Sequence, residues 1–116
     1  MRDHRKLDAF RLSDNLAVAV YQTTRNFPKS ELFGLTSQVR RAAVSVPANI
    51  VEGCGRPSEK DFLRFLGIAF ASVREVGYLI DLSNRLGFVD EQKTGELLNL
   101  QSRVAAALTA LMRSLK

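Results

Sequence analysis

Few residues of this chain have the chemistry of a catalytic or metal-binding group. His4 is the single histidine and Cys54 the single cysteine. A general base needs an oriented partner and a structural zinc site needs about four ligands, so neither residue alone predicts such a site. No neighbouring histidine supports a reactive Cys54 thiolate. We expect His4 at the surface, an unreactive Cys54, and no catalytic, cofactor or metal site.

The segment Gly53-Cys54-Gly55-Arg56 weakly resembles a phosphate-binding loop. It lacks the lysine and the hydroxyl residue at the spacing of a P-loop, and no predicted strand precedes it. Glycines are common where a helix ends, because they tolerate backbone conformations closed to other residues. We therefore interpret the segment as the end of a helix.

A stripe of polar side chains is the most informative feature of the second predicted helix, and apolar rows flank it on both sides. Covered polar groups must find hydrogen-bond partners, whereas a solvent-exposed face needs none. We favour the covered interpretation, and we predict that Arg41 pairs with Glu75 of the third predicted helix. The buried inter-helix network then comprises Gln38, Arg41, Ser45, Asn49, Glu52, Ser72 and Glu75.

Four amphipathic helices must position these residues. Apolar residues recur every three or four positions in four segments, which is the period of a helix with one buried face. Ser58 and Asp90 precede two of these segments and are suited to cap them. The connections are only a few residues long, so each helix must return antiparallel to the previous one. The predicted fold is all-α, an up-down-up-down antiparallel four-helix bundle in one domain, 1–116, with helices roughly at 8–26, 31–53, 58–86 and 90–115.

Pro47 lies inside the second predicted helix. A proline at such a position removes one helical hydrogen bond and costs about 3 kcal/mol. Because Val46 and Ile50 keep the helical spacing, we predict a kink at Pro47 and not a helix end. A structural role, wrapping the core or a neighbouring subunit, is favoured over one that presents Arg40 and Asn49 to a ligand.

The composition is that of a globular protein, with 46% hydrophobic and 25% charged residues among 116. No apolar run approaches the roughly 18 residues of a transmembrane helix, and no signal peptide is expected. The single cysteine excludes an internal disulfide and fits a reducing compartment. We therefore expect a cytoplasmic protein that does not interact with a membrane.

An ordered set of residues, spread over nearly the whole chain, resembles the signature of a known family. The matching residues are Phe27-Pro28, Glu31, Gly34-Leu35, Gln38, Arg41, Ser45, Pro47, Asn49-Ile50, Glu52-Gly53, Arg56, Phe62, Phe65-Leu66, Ile68-Ala69, Ser72, Glu75 and Leu86-Gly87. The resemblance is to the four-helix-bundle family of 23S rRNA-intervening-sequence proteins. It implies a small bacterial protein without enzymatic activity, related to accessory proteins of diversity-generating retroelements. Those relatives form homopentameric rings and are associated with nucleic acid and a reverse transcriptase, so the resemblance implies a homo-oligomer, specifically a pentamer.

The net charge of +5 leaves two interpretations of function open. In the first, a ring repeats a thin basic patch into a positive band that binds RNA or DNA phosphates. With no Trp and two Tyr, base stacking is poorly supported. In the second, exposed Phe33, Phe70 and Phe88 make the protein an interaction scaffold for subunits or a protein partner. The predicted phosphate contacts are Arg40, Arg56, Lys60 and Arg64, with the N-terminal Arg2, Arg5, Lys6 and Arg11.

Overall fold

The computed structural model describes residues 2–115, and its helices lie close to the predicted ones. No strand occurs within this range. The single domain over 1–116 stays a prediction, and its terminal residues Met1 and Lys116 lie outside the described residues. The helices are α1 Asp8–Thr24, α2 Leu35–Cys54, α3 Glu59–Arg85 and α4 Glu91–Ser114, with short 3-10 turns at His4–Lys6 and Lys29–Glu31.

The starts of α3 and α4 have the two predicted side-chain caps. The Ser58 hydroxyl accepts a hydrogen bond from the Asp61 amide at 3.1 Å. The Asp90 carboxylate accepts one from the Lys93 amide at 2.7 Å. Each cap satisfies an amide that has no partner within the helix, so both predicted caps are confirmed.

The second helix begins later than predicted, at Leu35 instead of residue 31. Gly34 has φ −109° and ψ −113°, which lies outside the helical region and interrupts the chain after the 3-10 turn. The side chain of Glu31 compensates, because its Oε1 accepts a hydrogen bond from the Leu35 amide at 3.1 Å. The apolar spacing before Gly34 therefore belongs to a turn that leads into α2.

Contacts between helices establish the antiparallel order. Along α2 and α3, Gln38 meets Glu75 and Ser45 meets Ser72, so rising numbers on one helix meet falling numbers on the other. Each helix packs on its sequence neighbours, and α4 closes the bundle against α1. The molecule measures 43 × 24 × 19 Å. The prediction of an antiparallel four-helix bundle is confirmed.

Gly53, at the end of α2, lies close against α3. A Cβ atom at Gly53 would lie 2.9 Å from Cβ of Phe65 and 3.1 Å from Cδ1 of Phe62. Glycine is required there because any larger residue would meet these side chains. Upstream, α2 continues through the buried Pro47, so the prediction that this proline does not end the helix is confirmed. The kink itself stays a prediction.

Candidate functional site

The polar stripe of α2 reaches α3 through one short hydrogen-bonded chain. The hydroxyls of Ser45 and Ser72 lie 2.8 Å apart across the two helices. Asn49 donates its side-chain amide to the Ser45 carbonyl at 2.7 Å and to the Ser45 hydroxyl at 3.0 Å. All three side chains are half-buried. The structure therefore brings these three predicted residues together, at the edge of the core and not inside it.

The remaining members of the predicted network do not join this hydrogen-bonded chain. Glu75 accepts a long hydrogen bond from Gln38, with Nε2 and Oε2 3.4 Å apart. Arg41 is exposed and forms no ion pair among residues 2–115. Glu52 pairs instead with Arg56, one turn further along the chain, at 3.4 Å. The predicted Arg41–Glu75 pair and the buried position of the network are therefore wrong for the single chain.

The reason for this difference is that the second of the two apolar rows beside the stripe is covered only at Pro47. Val46 and Ile50 are fully buried in the core. Val44 and Val51, on the other side, are 42% and 40% exposed. The amphipathic spacing of α2 shows that two apolar rows exist, but the packing of the bundle decides which one it covers.

An open groove of about 500 Å³ contains much of this polar stripe. Phe33, at the rim, is 94% exposed. Three serines line the groove and no histidine or cysteine does, so the lining holds no serine–histidine or cysteine–histidine pair. The groove has the mixed character of a contact surface, and its lining includes Phe33, Gln38, Arg41, Ser45, Ser72 and Glu75.

Apolar side chains are exposed on the outer faces of α1 and α2. Val18 is 51% exposed and Tyr21 is 44% exposed on α1, in addition to Val44 and Val51 on α2. The guanidinium of Arg40 lies 4.6 Å from the Tyr21 ring centre, which joins the two helices at this surface. We call Val18, Tyr21, Val44 and Val51 the apolar patch. Sequence reasoning assigned the α2 valines to a covered row and missed this surface.

The aromatic residues predicted to be exposed differ among themselves. Phe33 is exposed as expected. Phe70 and Phe88 are half-buried and pack against the core, so the prediction for these two is wrong. Phe88 lies 5.5 Å from the Phe27 ring, centre to centre, because the connection between α3 and α4 folds back onto the end of α1.

Basic residues gather at the turn between α2 and α3. The guanidiniums of Arg56 and Arg64 lie 4.9 Å and 4.6 Å from the centre of the Phe65 ring. Arg2 joins them from the N-terminus, 4.2 Å from the Phe62 ring centre. Contacts of this kind hold flexible cations in place. We call Arg2, Arg56, Lys60 and Arg64 the turn cluster.

Acidic neighbours offset part of this charge. Arg2 pairs with Glu59 at 3.5 Å, Arg56 with Glu52 at 3.4 Å, and Arg64 with Asp61 at 3.8 Å. Lys60 forms no ion pair among residues 2–115. These pairs are partly exposed, and exposed pairs exchange readily with other anions in water.

The other predicted phosphate contacts lie elsewhere. Arg40 is about 20 Å from the turn cluster, because roughly fourteen residues of helix separate them. Its Nε donates to the Thr24 hydroxyl at 2.7 Å. Arg5 pairs with Asp3 at 3.0 Å, and Arg11 pairs with Asp8. Of the four N-terminal cations, only Arg2 therefore joins the turn cluster.

The two residues with potential for acid-base or nucleophilic chemistry have packing partners. Cys54 is 2% exposed, and burial raises the pKa of its thiol. His4 is half-buried at the surface and meets the Phe10 ring edge-on, with the ring centres 4.6 Å apart. Across residues 2–115, no three of the His, Cys, Asp and Glu side chains lie where they would hold a metal ion together. No helix in that range has the length and apolar character to cross a membrane.

Comparison with known proteins agrees with this architecture. The model of the 23S rRNA-intervening sequence protein family matches residues 5–110. A crystal structure from Bacteroides thetaiotaomicron, described as a protein of unknown function from the S23 ribosomal protein family, superimposes with a TM-score of 0.82. The two chains are 23% identical, and the match covers 90% of this chain and 95% of that one. No curated protein matches the sequence.

Proposed function

The chain belongs to the 23S rRNA-intervening sequence protein family, and we propose that it acts as a homo-oligomer. We propose further that this helical bundle is not an enzyme. The observation that carries the proposed self-association is the apolar patch. Its members on neighbouring helices are each 40% to 51% exposed. Apolar side chains exposed together favour an interaction surface, and the Arg40–Tyr21 contact brings the outer faces of α1 and α2 together here.

The surroundings of the patch favour a second copy of the chain as its partner. The polar groove lies along the other side of α2, so the outward face of this helix offers apolar and polar contacts side by side. Subunit interfaces combine an apolar centre with a polar rim. Five copies is the number that the family resemblance implies, and a closed ring of them needs one repeated contact.

Acidic substitution in the patch tests self-association. Val44→Glu puts a charge in the proposed contact and should lower the solution mass toward the 12.9 kDa of one chain. Ala106→Glu makes the same type of change on the exposed face of α4 and should leave the mass unchanged. Light scattering after size exclusion measures both. Equal masses for Val44→Glu and the wild type would contradict an interface at the patch.

Binding to RNA or DNA phosphates is the second candidate, and the turn cluster favours it. Phe65 holds two arginines beside each other, and Lys60 lies one turn before Arg64 on the same helix. A ring would repeat this cluster once per subunit, which multiplies the number of phosphates contacted. The carboxylates of Glu52, Glu59 and Asp61, which pair with the arginines of the turn cluster, compete with the phosphates, so we expect weak binding by each copy.

A salt titration tests this second candidate. Labelled RNA and DNA should bind at low ionic strength and weaken steeply as salt rises, because bound phosphates release counterions. Lys60→Gln should weaken binding, whereas Arg103→Gln on the exposed face of α4 should not. Absence of binding at low salt would contradict the nucleic-acid function and leave a protein-interaction scaffold. A cytoplasmic location is part of the proposal and is supported by the free thiol of Cys54.

A further inference from the structure

We propose that a small pocket between the end of α1 and the start of α2 binds a phosphate group. The pocket has a volume of about 130 Å³. Three cationic side chains line it, together with two threonines and an apolar wall that includes Phe27 and Leu32. No Asp or Glu belongs to its lining. The polar lining consists of Thr24, Arg25, Lys29, Thr36 and Arg40.

Thr36 provides the most specific indication of a ligand. Its side chain is 3% exposed, and its hydroxyl has no hydrogen-bond partner among residues 2–115. Buried hydroxyls nearly always have a partner, and because Thr36 lines the pocket, a rotation of its side chain would let this hydroxyl donate to a ligand oxygen there. Thr36 is also the second residue of α2, where the helix dipole is positive and favours an anion.

Arg40 is held in position by two contacts. Its Nε donates to the Thr24 hydroxyl at 2.7 Å, and that hydroxyl donates onward to the Val20 carbonyl at 2.8 Å. The Tyr21 ring lies 4.6 Å from the guanidinium. The two terminal nitrogens of Arg40 have no hydrogen-bond partner among residues 2–115. A guanidinium fixed at Nε presents its remaining edge for paired hydrogen bonds to phosphate oxygens.

The charge of the pocket favours an anion, and its size limits what enters. Arg25 and Lys29 form no ion pair within residues 2–115, and they lie on opposite sides of Phe27-Pro28 in the connecting loop. Glu31 of the same loop is occupied, since it accepts the Leu35 amide at 3.1 Å. The volume equals about four water molecules, at about 30 Å³ each. This accommodates a tetrahedral phosphate but not a whole nucleotide, so a larger ligand would insert only its phosphate.

This pocket is a different site from the turn cluster and lies about 20 Å from it along α2. Its phosphate comes either from a small phosphate ester or from the end of a nucleic-acid strand. Binding of inorganic phosphate here requires neither self-association nor RNA binding at the turn cluster. Failure of this inference is therefore distinguishable from failure of the proposed function.

Titration with inorganic phosphate, followed by amide NMR, tests the site. Saturating shifts should be confined to the amides around Thr36 and Arg40, and sodium chloride at equal ionic strength should not reproduce them. Thr36→Val should weaken binding about tenfold, because it removes one hydrogen bond to a charged group. Lys29→Gln, an exposed change that leaves the core intact, should weaken binding as well, whereas Arg74→Gln on α3 should not.

Two further ligands identify the source of the phosphate. If adenosine monophosphate binds the pocket with the same affinity as inorganic phosphate, this result supports a small phosphate ester as the natural ligand. An oligonucleotide that shifts the same amides only when it carries a 5′-phosphate supports a strand end. Shifts spread over all basic residues, or equal affinity in wild type, Thr36→Val and Lys29→Gln, would overturn the site.

Discussion

At the scale of single residues, the exposed position of Glu75 changes what its removal should do. A buried ion pair typically costs about 3 to 5 kcal/mol when one partner is lost, but exposed contacts contribute about 0 to 1 kcal/mol. Glu75 is exposed and makes one long hydrogen bond, to Gln38. Glu75→Gln should therefore lower the free energy of unfolding by less than about 1 kcal/mol in urea denaturation. As a reference, Leu66→Ala in the buried core should lower the free energy of unfolding by about 2 to 5 kcal/mol. A comparable loss for Glu75→Gln would contradict its exposed position and support a buried Arg41–Glu75 pair.

Cys54 should react slowly with alkylating reagents. Only the thiolate reacts, and both the burial of Cys54 and its raised pKa reduce the accessible thiolate at pH 8. Iodoacetamide, followed by mass spectrometry, should label the native protein far more slowly than the protein in urea. The pKa of the Cys54 thiol is higher in the folded chain than in the unfolded one, so the thiolate forms more easily in the unfolded chain. The free energy of unfolding should therefore decrease as the pH rises above about 9. Rapid labelling of the native protein would contradict the burial of Cys54 at the end of α2.

At the scale of elements, two glycines allow a matched test of the α2–α3 contact. Gly53→Ala places a methyl group 2.9 Å from Phe65 and should destabilise the bundle by about 1 to 3 kcal/mol. Gly67→Ala lies on the exposed face of α3, where a Cβ meets nothing within 4 Å, and should stabilise it by up to about 1 kcal/mol. Thermal denaturation compares the two variants directly. Destabilisation by both changes would mean that helix approach is not what distinguishes the sites.

The elements were largely predictable because their signals are local. Ser58 and Asp90 cap the starts of α3 and α4 by accepting hydrogen bonds from amides three residues away. The short loops determine the antiparallel order. The start of α2 was predicted too early, because the apolar spacing across Gly34 does not reveal its backbone angles. The site was less predictable, since coverage of Val44 and Val51 depends on how all four helices pack. The pocket at Thr36 likewise exists only after α1 and α2 have met.

At the scale of the whole molecule, the turn cluster and the apolar patch are two separate sets of residues, although Arg40 packs against Tyr21 of the patch. The turn cluster lies at the α2–α3 end of the bundle, and the apolar patch lies along α1 and α2. We expect self-association through the patch to leave the turn cluster accessible to anions. A variant that prevents assembly, such as Val44→Glu, should retain weak phosphate contacts but lose the avidity that repetition provides. Nucleic-acid binding that is equally tight in this variant and in the wild type would show that assembly does not contribute.

Self-association is tested most directly by sedimentation velocity, which measures the mass of the wild-type protein in solution over a range of concentrations. One chain has a mass of 12.9 kDa. We predict a species of two or more chains, with five copies as the number that the family resemblance implies. A sedimenting species of 12.9 kDa at every concentration would contradict it.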